Sequence, residues 1–282
     1  MTLEKRFANG LNFLATYTYS KVLSDAHDLL NGGSTGFGTN AVNGYRAPAV
    51  PGYGIHADYG LAPFDIRNVF HFSGGYQLPF GRGQHYMSDA TGVKNQIVGG
   101  WSLNWLMTFQ GGQPITLTCP STTAAGLSCG ALFVPGQPLK LGLHTDSNGK
   151  LSWYGNPGAF NQPCQIGSNG QPIPNSPQGC VPLTGTAALG GLAQVAGPPY
   201  SRVDFSIFKN FPIKENVYLQ FRTEFFNIAN HPTFNAPNFG GNGVVAIGGS
   251  GNYTSSTFGE IGSTRTNPYD ARQIQFALKF YF

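Results

Sequence analysis

Residues 274–282 read IQFALKFYF, and the fold of the chain turns on them. Ile274, Phe276, Leu278, Phe280 and Phe282 fall on one side of an extended backbone, with Gln275, Ala277, Lys279 and Tyr281 on the other, because successive strand side chains point to opposite faces. One face is wholly apolar, while the other carries an amide, an amine and a phenol. Roughly nine residues is also the length a tilted strand needs to cross the core of a bilayer. Chain termini usually fray in water, whereas a strand that closes a membrane cylinder must hold its pairing to the end. The competing reading is a strand buried in a soluble two-sheet sandwich.

Composition favours the membrane. The 282 residues could hold one large or two ordinary domains, yet only 10% are charged, against roughly 25% in a typical soluble protein. The 40 glycines and 20 prolines exceed ordinary usage without approaching collagen or a disordered tract. The 22 Phe and 13 Tyr, against 3 Trp, sit largely in alternating segments. A net charge of +4 is spread along the chain instead of massed in a run, which argues against nucleic acid as the main partner. No stretch approaches the roughly 18 apolar residues of a membrane helix, and the mean hydropathy is −0.15. Both suit a barrel, whose membrane signature is alternation and averages away in hydropathy.

At the start, MTLEKRFANG carries positive charge, but the following LNFLATYTYS is broken by Asn12, Thr16 and Thr18, so no signal-peptide core follows. The chain then either stays in the cytoplasm or is the tail of a longer precursor that carries the signal upstream; the rest of the sequence favours the second.

Alternation predicts about six long strands. Leu11, Phe13, Ala15, Tyr17 and Tyr19 alternate with Asn12, Leu14, Thr16, Thr18 and Ser20. Phe70, Phe72, Gly74, Tyr76 and Leu78 alternate with Val69, His71, Ser73, Gly75 and Gln77, stopping at Pro79, which cannot donate to a ladder. Trp101, Leu103, Trp105, Met107 and Phe109 oppose Ser102, Asn104, Leu106, Thr108 and Gln110. Val203, Phe205 and Ile207 oppose Asp204, Ser206 and Phe208, ending near Pro212. Val217, Leu219, Phe221, Thr223 and Phe225 oppose Tyr218, Gln220, Arg222, Glu224 and Phe226, and the terminal strand is the sixth. Val217, Phe221, Phe225 and Ile228 also fit a helical stripe; the alternation of Gln220, Arg222 and Glu224 with apolar neighbours tips the segment to strand.

The expected fold is all-β: an antiparallel transmembrane barrel, here an open, curved part of one with long outer loops. Phe70, Trp101, Trp105, Phe205, Phe221 and Phe280 should face lipid, and Asn104, Asp204, Arg222 and Glu224 the lumen. Connections alternate between long and short, as when outer loops are long and periplasmic turns short. With the last strand ending in the periplasm, segments 21–66, 112–200 and 230–272 lie outside and links 80–99 and 211–216 inside. Segment 112–200 is too long for a bare loop and is expected to be a large extracellular segment with its own β-structure or a folded insert. Six strands cannot close a receptor barrel, so unpaired edges are expected near Leu11 and Phe276.

Several phrases occur in order along nearly the whole chain: YTYSK at 17–21, FDIRNVF at 64–70, LPFG at 78–81, GGW at 99–101 and GGQP at 111–114. They continue with FKNFP at 208–212, QFRTEFFN at 220–227, NHP at 230–232 and RQIQFALKFYF at 272–282. Their order and spacing resemble the C-terminal part of TonB-dependent receptors, within them the Oar-like outer-membrane barrels. The resemblance implies a protein of the cell outer membrane with a barrel of about 22 strands, an N-terminal plug and a TonB-contacting segment. Residues 1–282 would be the C-terminal portion of that barrel, with plug and TonB contact upstream. It further implies that Phe276, Leu278, Phe280 and Phe282 are the signal read by the barrel-assembly machinery. Anchoring at the lipid interface, as girdle aromatics do, is the alternative role.

Catalytic patterns are weak. Gly32-Gly-Ser-Thr-Gly36 matches a nucleophile elbow as a string but lies in a polar loop without the strand and helix that motif needs. Gly241-Asn-Gly-Val-Val-Ala246 resembles a dinucleotide fingerprint only as letters. Asp25, His27 and Asp28 read as a solvated cluster, and Asp146-Ser-Asn-Gly149 lacks the distal Glu of a calcium loop and reads as a turn. His56, His71, His85, His144 and His231 show no zinc spacing. No enzyme, cofactor or metal is expected. Cys119, Cys129, Cys164 and Cys180 all lie in 112–200. Nearest-neighbour disulfides, suited to an oxidising envelope, are expected there from sequence distance alone; a zinc site competes but lacks C-x₂-C spacing.

Two functions remain open. One is a fragment of a receptor that takes up a scarce extracellular ligand with energy from TonB, contributing wall and loops. The other is a secreted soluble β-rich adhesin or carbohydrate binder.

Overall fold

In the computed structural model the described residues are 1–24, 60–62, 64–122, 128–130, 132–134, 136–139, 141–154, 156–161, 163–166, 172–173, 181–182, 195–237, 250–252, 258–265 and 270–282. Seven strands form the principal sheet: β1 (Thr2–Ala8), β2 (Leu11–Tyr19), β3 (Asn68–Gln77), β4 (Trp101–Gln110), β5 (Tyr200–Lys214), β6 (Val217–Phe226) and β7 (Gln273–Tyr281). Each pairs antiparallel with the strand before it in this order. The sheet is open, with β1 and β7 at its edges. It is an all-β, partial antiparallel barrel, and no described helix is long and apolar enough to cross a membrane.

Two boundaries differ from expectation. The wall has seven strands, and its first edge is β1, not the strand at Leu11. Lys5 falls in the apolar phase of residues 2–8 and masks their alternation. The stronger clue is the Asn9-Gly10 pair, with φ of 54° and 78°. Two successive positive φ values make a two-residue turn whose twist matches the flanking strands. The second difference is β5, which runs through Pro212 to Lys214, with a register shift between Pro212 and Lys214. The turn therefore shrinks to Glu215 and Asn216. Proline is tolerated because β4 begins at Trp101, opposite Lys209, so Pro212 has a strand neighbour on one side only.

Register carries the alternation across the whole sheet. Ile274, Phe225, Phe205, Trp105, Gly74, Phe13 and Lys5 form one row of paired positions. The adjacent row is Gln275, Glu224, Ser206, Asn104, Gly75 and Asn12. Paired residues share a face, so one face collects most of the aromatics and the other most of the amides, hydroxyls and charges. All six residues expected to face lipid share the first face, and Asn104, Asp204, Arg222 and Glu224 the second. Leu14, Val69, Leu106, Phe208, Phe226 and Ala277 are apolar exceptions on the polar face. Phe221 and Phe280 are 37% and 56% exposed, not buried as a sandwich would require. The glycine pair in β3 admits close contact on both faces. A Cβ on Gly74 would lie 2.7 Å from the Trp105 ring, and one on Gly75 2.9 Å from the Asn104 side-chain oxygen.

The turns 9–10 and 215–216 and the link 78–100, which contains helix α1 (Gly92–Val98), lie at one end of the sheet. Segments 20–67, 111–199 and 227–272 leave the other end. There, short strands such as Pro114–Thr122, Leu141–Thr145 and Leu151–Tyr154 pair outside the main sheet. Ile115, Ala159, Phe160, Val195 and Phe258 form a buried cluster, with Leu139, Trp153 and Ala236 packed against it. This head draws on both of the last two long segments.

Candidate functional site

Residues of the closing strand β7 are held differently on its two faces. On the apolar face, Phe276, Leu278, Phe280 and Phe282 are 66%, 64%, 56% and 95% exposed. Phe276 stacks on Phe221 of β6 with ring centroids 6.1 Å apart, and Phe280 stacks on Phe282 at 5.9 Å. These side chains offer an unbroken apolar strip above a backbone whose outer hydrogen-bonding edge meets no strand among the described residues.

The polar face ties β7 to its neighbours. Tyr281 stacks on Tyr218 at 4.5 Å, the rings 12° from parallel. The Tyr281 hydroxyl accepts a hydrogen bond from Arg222 Nη2 at 2.8 Å, while Arg222 Nε donates to Gln220 Oε1. Gln220 Nε2 donates to Asn210 Oδ1 at 2.8 Å, extending the chain to β5. The guanidinium also lies 4.6 Å over the Phe208 ring, so Arg222 is held from three strands. A cation on a barrel's inner face is satisfied in this way without meeting lipid.

A second polar cluster closes the loop end. Asn227, with φ 50°, ends β6 and is 4% exposed. Its Nδ2 donates to the carbonyls of His231 and Asp270, at 3.0 and 2.7 Å, and its Oδ1 accepts from His231 N. Asp204 accepts from the Asn227 amide and from Arg202 Nε at 3.0 Å. The Asp270 carboxylate accepts from Thr233 N, and Asn230 Oδ1 from Arg272 N. The start of β7 is thereby fastened to the end of β6. Nearby, Arg265 donates to the carbonyls of Phe234 and Pro198 at 3.0 and 2.8 Å. Burial lowers the pKa of Arg265, and Tyr200 partly opposes that shift.

Pattern placed Asp204 on the lumen face, and Asn227, Asn230, His231 and Arg272 fall within the ordered phrases, but neither brought them together as a clasp. The available signal was asparagine at 227 and 230 just past a strand, since asparagine tolerates left-handed backbone and bonds locally; both have φ 50°. Lys209 was also missed: it lies on the apolar face, donates to the Gly99 carbonyl, and sits 5.3 and 5.1 Å from the Trp101 and Phe211 centroids.

Asp146 accepts from the amides of Asn148 and Lys150 at 2.9 and 2.8 Å, an Asx turn. His71 contacts Thr108 at 3.1 Å on the polar face. Asp25, His27, Asp28, the 32–36 string and the 241–246 string lie outside the described residues, as do the cysteine side chains. The backbones carrying Cys119 and Cys129 belong to the paired strands Pro114–Thr122 and Ser128–Gly130. Among the described residues no three His, Cys, Asp or Glu groups gather to hold a metal.

An amphipathic antiparallel wall with one greasy and one polar face is what a barrel in lipid requires. Residues 1–275 match a family model described as an outer membrane beta barrel domain. Searches of curated proteins and of solved structures returned no match. With nearly its whole length matched by that model, and a wall built as the model's description requires, the chain belongs to the outer membrane beta barrel domain family.

Proposed function

We propose that this outer-membrane chain supplies the closing wall and outer loop head of a TonB-dependent receptor of the Oar-like type, which takes up a scarce extracellular ligand. The observation that carries the reading is the open sheet of seven strands with one apolar face. Because the strands alternate in direction and their number is odd, β1 and β7 run the same way. Pairing them with each other would make a parallel seam, whereas barrels of this kind are antiparallel throughout. An odd number of further strands is needed, which we assign to sequence upstream, together with the plug, its TonB contact and the secretion signal. In that arrangement the long segments face outward and hold ligand, the short turns face the periplasm, and the chain has no catalytic role. The soluble adhesin reading is disfavoured by the exposure of Phe221 and Phe280.

Sequencing the region directly upstream in the source genome is expected to find an in-frame plug; a stop codon and a separate secretion signal would support the adhesin. Alone, the chain should need detergent, because unpaired edges associate. A monomer in plain buffer with one cooperative unfolding transition would reject the wall reading. Phe276, Leu278, Phe280 and Phe282 are assigned to the barrel-assembly machinery, which would recognise the strand by pairing and by side chains at one-face spacing. Deleting Phe282 in the full-length parent should lower surface-labelled receptor far more than replacing Tyr281; unchanged labelling would leave these residues an anchoring role. Disulfides Cys119–Cys129 and Cys164–Cys180 are expected on this route, to be read by mass spectrometry of the unreduced protein.

A further inference from the structure

Helix α1 carries apolar side chains that none of the described residues covers. Val93 is 76% exposed and Ile97 63%, and Ile213, just before the turn that follows β5, is 57% exposed. The helix is not free to turn these residues inward. Asn95 Oδ1 accepts from the Arg82 amide at 2.8 Å, Gln96 Nε2 donates to the Pro212 carbonyl at 3.1 Å, and Trp101 Nε1 donates to the Ile97 carbonyl at 2.9 Å. At 3.6 residues per turn, Val93 and Ile97 each lie about 160° round the axis from Asn95. They share one stripe opposite Asn95, while Gln96 lies at its border, about 60° round from Val93 and about 100° from Ile97.

The level of this stripe is marked by its neighbours. Trp101 belongs to the apolar face, where it is paired with Lys209, whose ammonium bonds the Gly99 carbonyl at the end of α1. An indole with its N–H satisfied is typical of the lipid–water boundary; Lys209 beside it is 3% exposed and held within the protein. Through the bond from the Trp101 indole to the Ile97 carbonyl, α1 adjoins the apolar face at its short-turn end.

We propose that α1 is an interfacial foot: Val93 and Ile97, with Ile213, enter the phospholipid leaflet at the short-turn end and set the depth of the wall. The occupant is lipid because the stripe adjoins the lipid-facing surface through Trp101, and Lys94 beside it suits a headgroup layer. The inference rests on the barrel reading.

The test uses the full-length parent, with its upstream strands, refolded into phosphatidylcholine–phosphatidylglycerol vesicles. An environment-sensitive fluorescent amino acid is placed by codon suppression at 93, 97, 276 or 150, one site at a time, with strand content checked by circular dichroism. Acyl-brominated lipid should quench the probes at 93, 97 and 276 at least twofold and leave the probe at 150 unquenched. Quenching at 276 with 93 and 97 as bright as 150 would overturn the foot and leave the barrel standing. No quenching at 276 would remove the barrel reading and the foot with it.

Discussion

The wall and the head use the same kinds of residue in opposite ways. In the wall, Phe276 and Leu278 are 66% and 64% exposed; in the head, Ile115 and Phe160 are 1% and 3% exposed. A head in water gains by hiding apolar area from solvent, at about 25 cal/mol per Å². A wall in lipid has hydrocarbon on its apolar side and must instead satisfy every backbone group, which the strand ladder does. One chain therefore folds by two rules, and the border between them is drawn by Asn227, Asp204 and Asp270, whose hydrogen bonds close the strands where the head begins.

Substitutions can break this comparison. Phe160→Ala should destabilise the head by about 3–5 kcal/mol, the usual cost of emptying an aromatic site in a packed core. Limited proteolysis should then cut within 111–199 while strand content holds; loss of both together would mean the two regions fold as one. Phe221→Arg is expected to cost about 2–4 kcal/mol in urea titrations in vesicles, as charges near the midplane of a lipid face do. Ser206→Arg, on the polar face, should cost far less, and equal costs would reject the assignment of faces.

Two smaller effects sharpen the border and the seam. Asn227→Ala leaves the His231 amide and two carbonyls without their partner, at about 1–3 kcal/mol for buried groups; amide exchange should rise at 227–233 before it rises within β6. Tyr281→Phe keeps the stack on Tyr218 and removes the acceptor for Arg222, so a loss of about 0.5–1.5 kcal/mol is expected. Exchange should increase in β7 alone, and a change confined to the head would contradict the contact.

Much of the wall was legible because its faces meet different media. In Trp101–Gln110 the alternation is dense, in Val217–Phe226 it outweighs a competing helical stripe, and pairing followed from the order of strands along the chain. β1 escaped because Lys5 stands in its apolar phase, although Asn9-Gly10 announced the turn. Pro212 suggested a strand end, but only the start of β4 opposite Lys209 decides that proline has no strand to meet there. The clasp at Asn227 was invisible as a clasp: its partners Asp204 and Asp270 lie far off in sequence, and nothing local encodes their meeting.

The sequence alone determined which residues share a face, since a period of two is a property of the backbone and needs no partner. It also determined that lipid is the solvent of one face, through sparse charge and sustained aromatic alternation. Tertiary structure decided what depends on distance in space: the register that sets Phe221 against Leu278, the meeting of Ile115 with Phe258 in the head, and the fastening of α1 with its apolar stripe outward. Such contacts join segments whose local patterns are silent about one another, so only the folded chain specifies them.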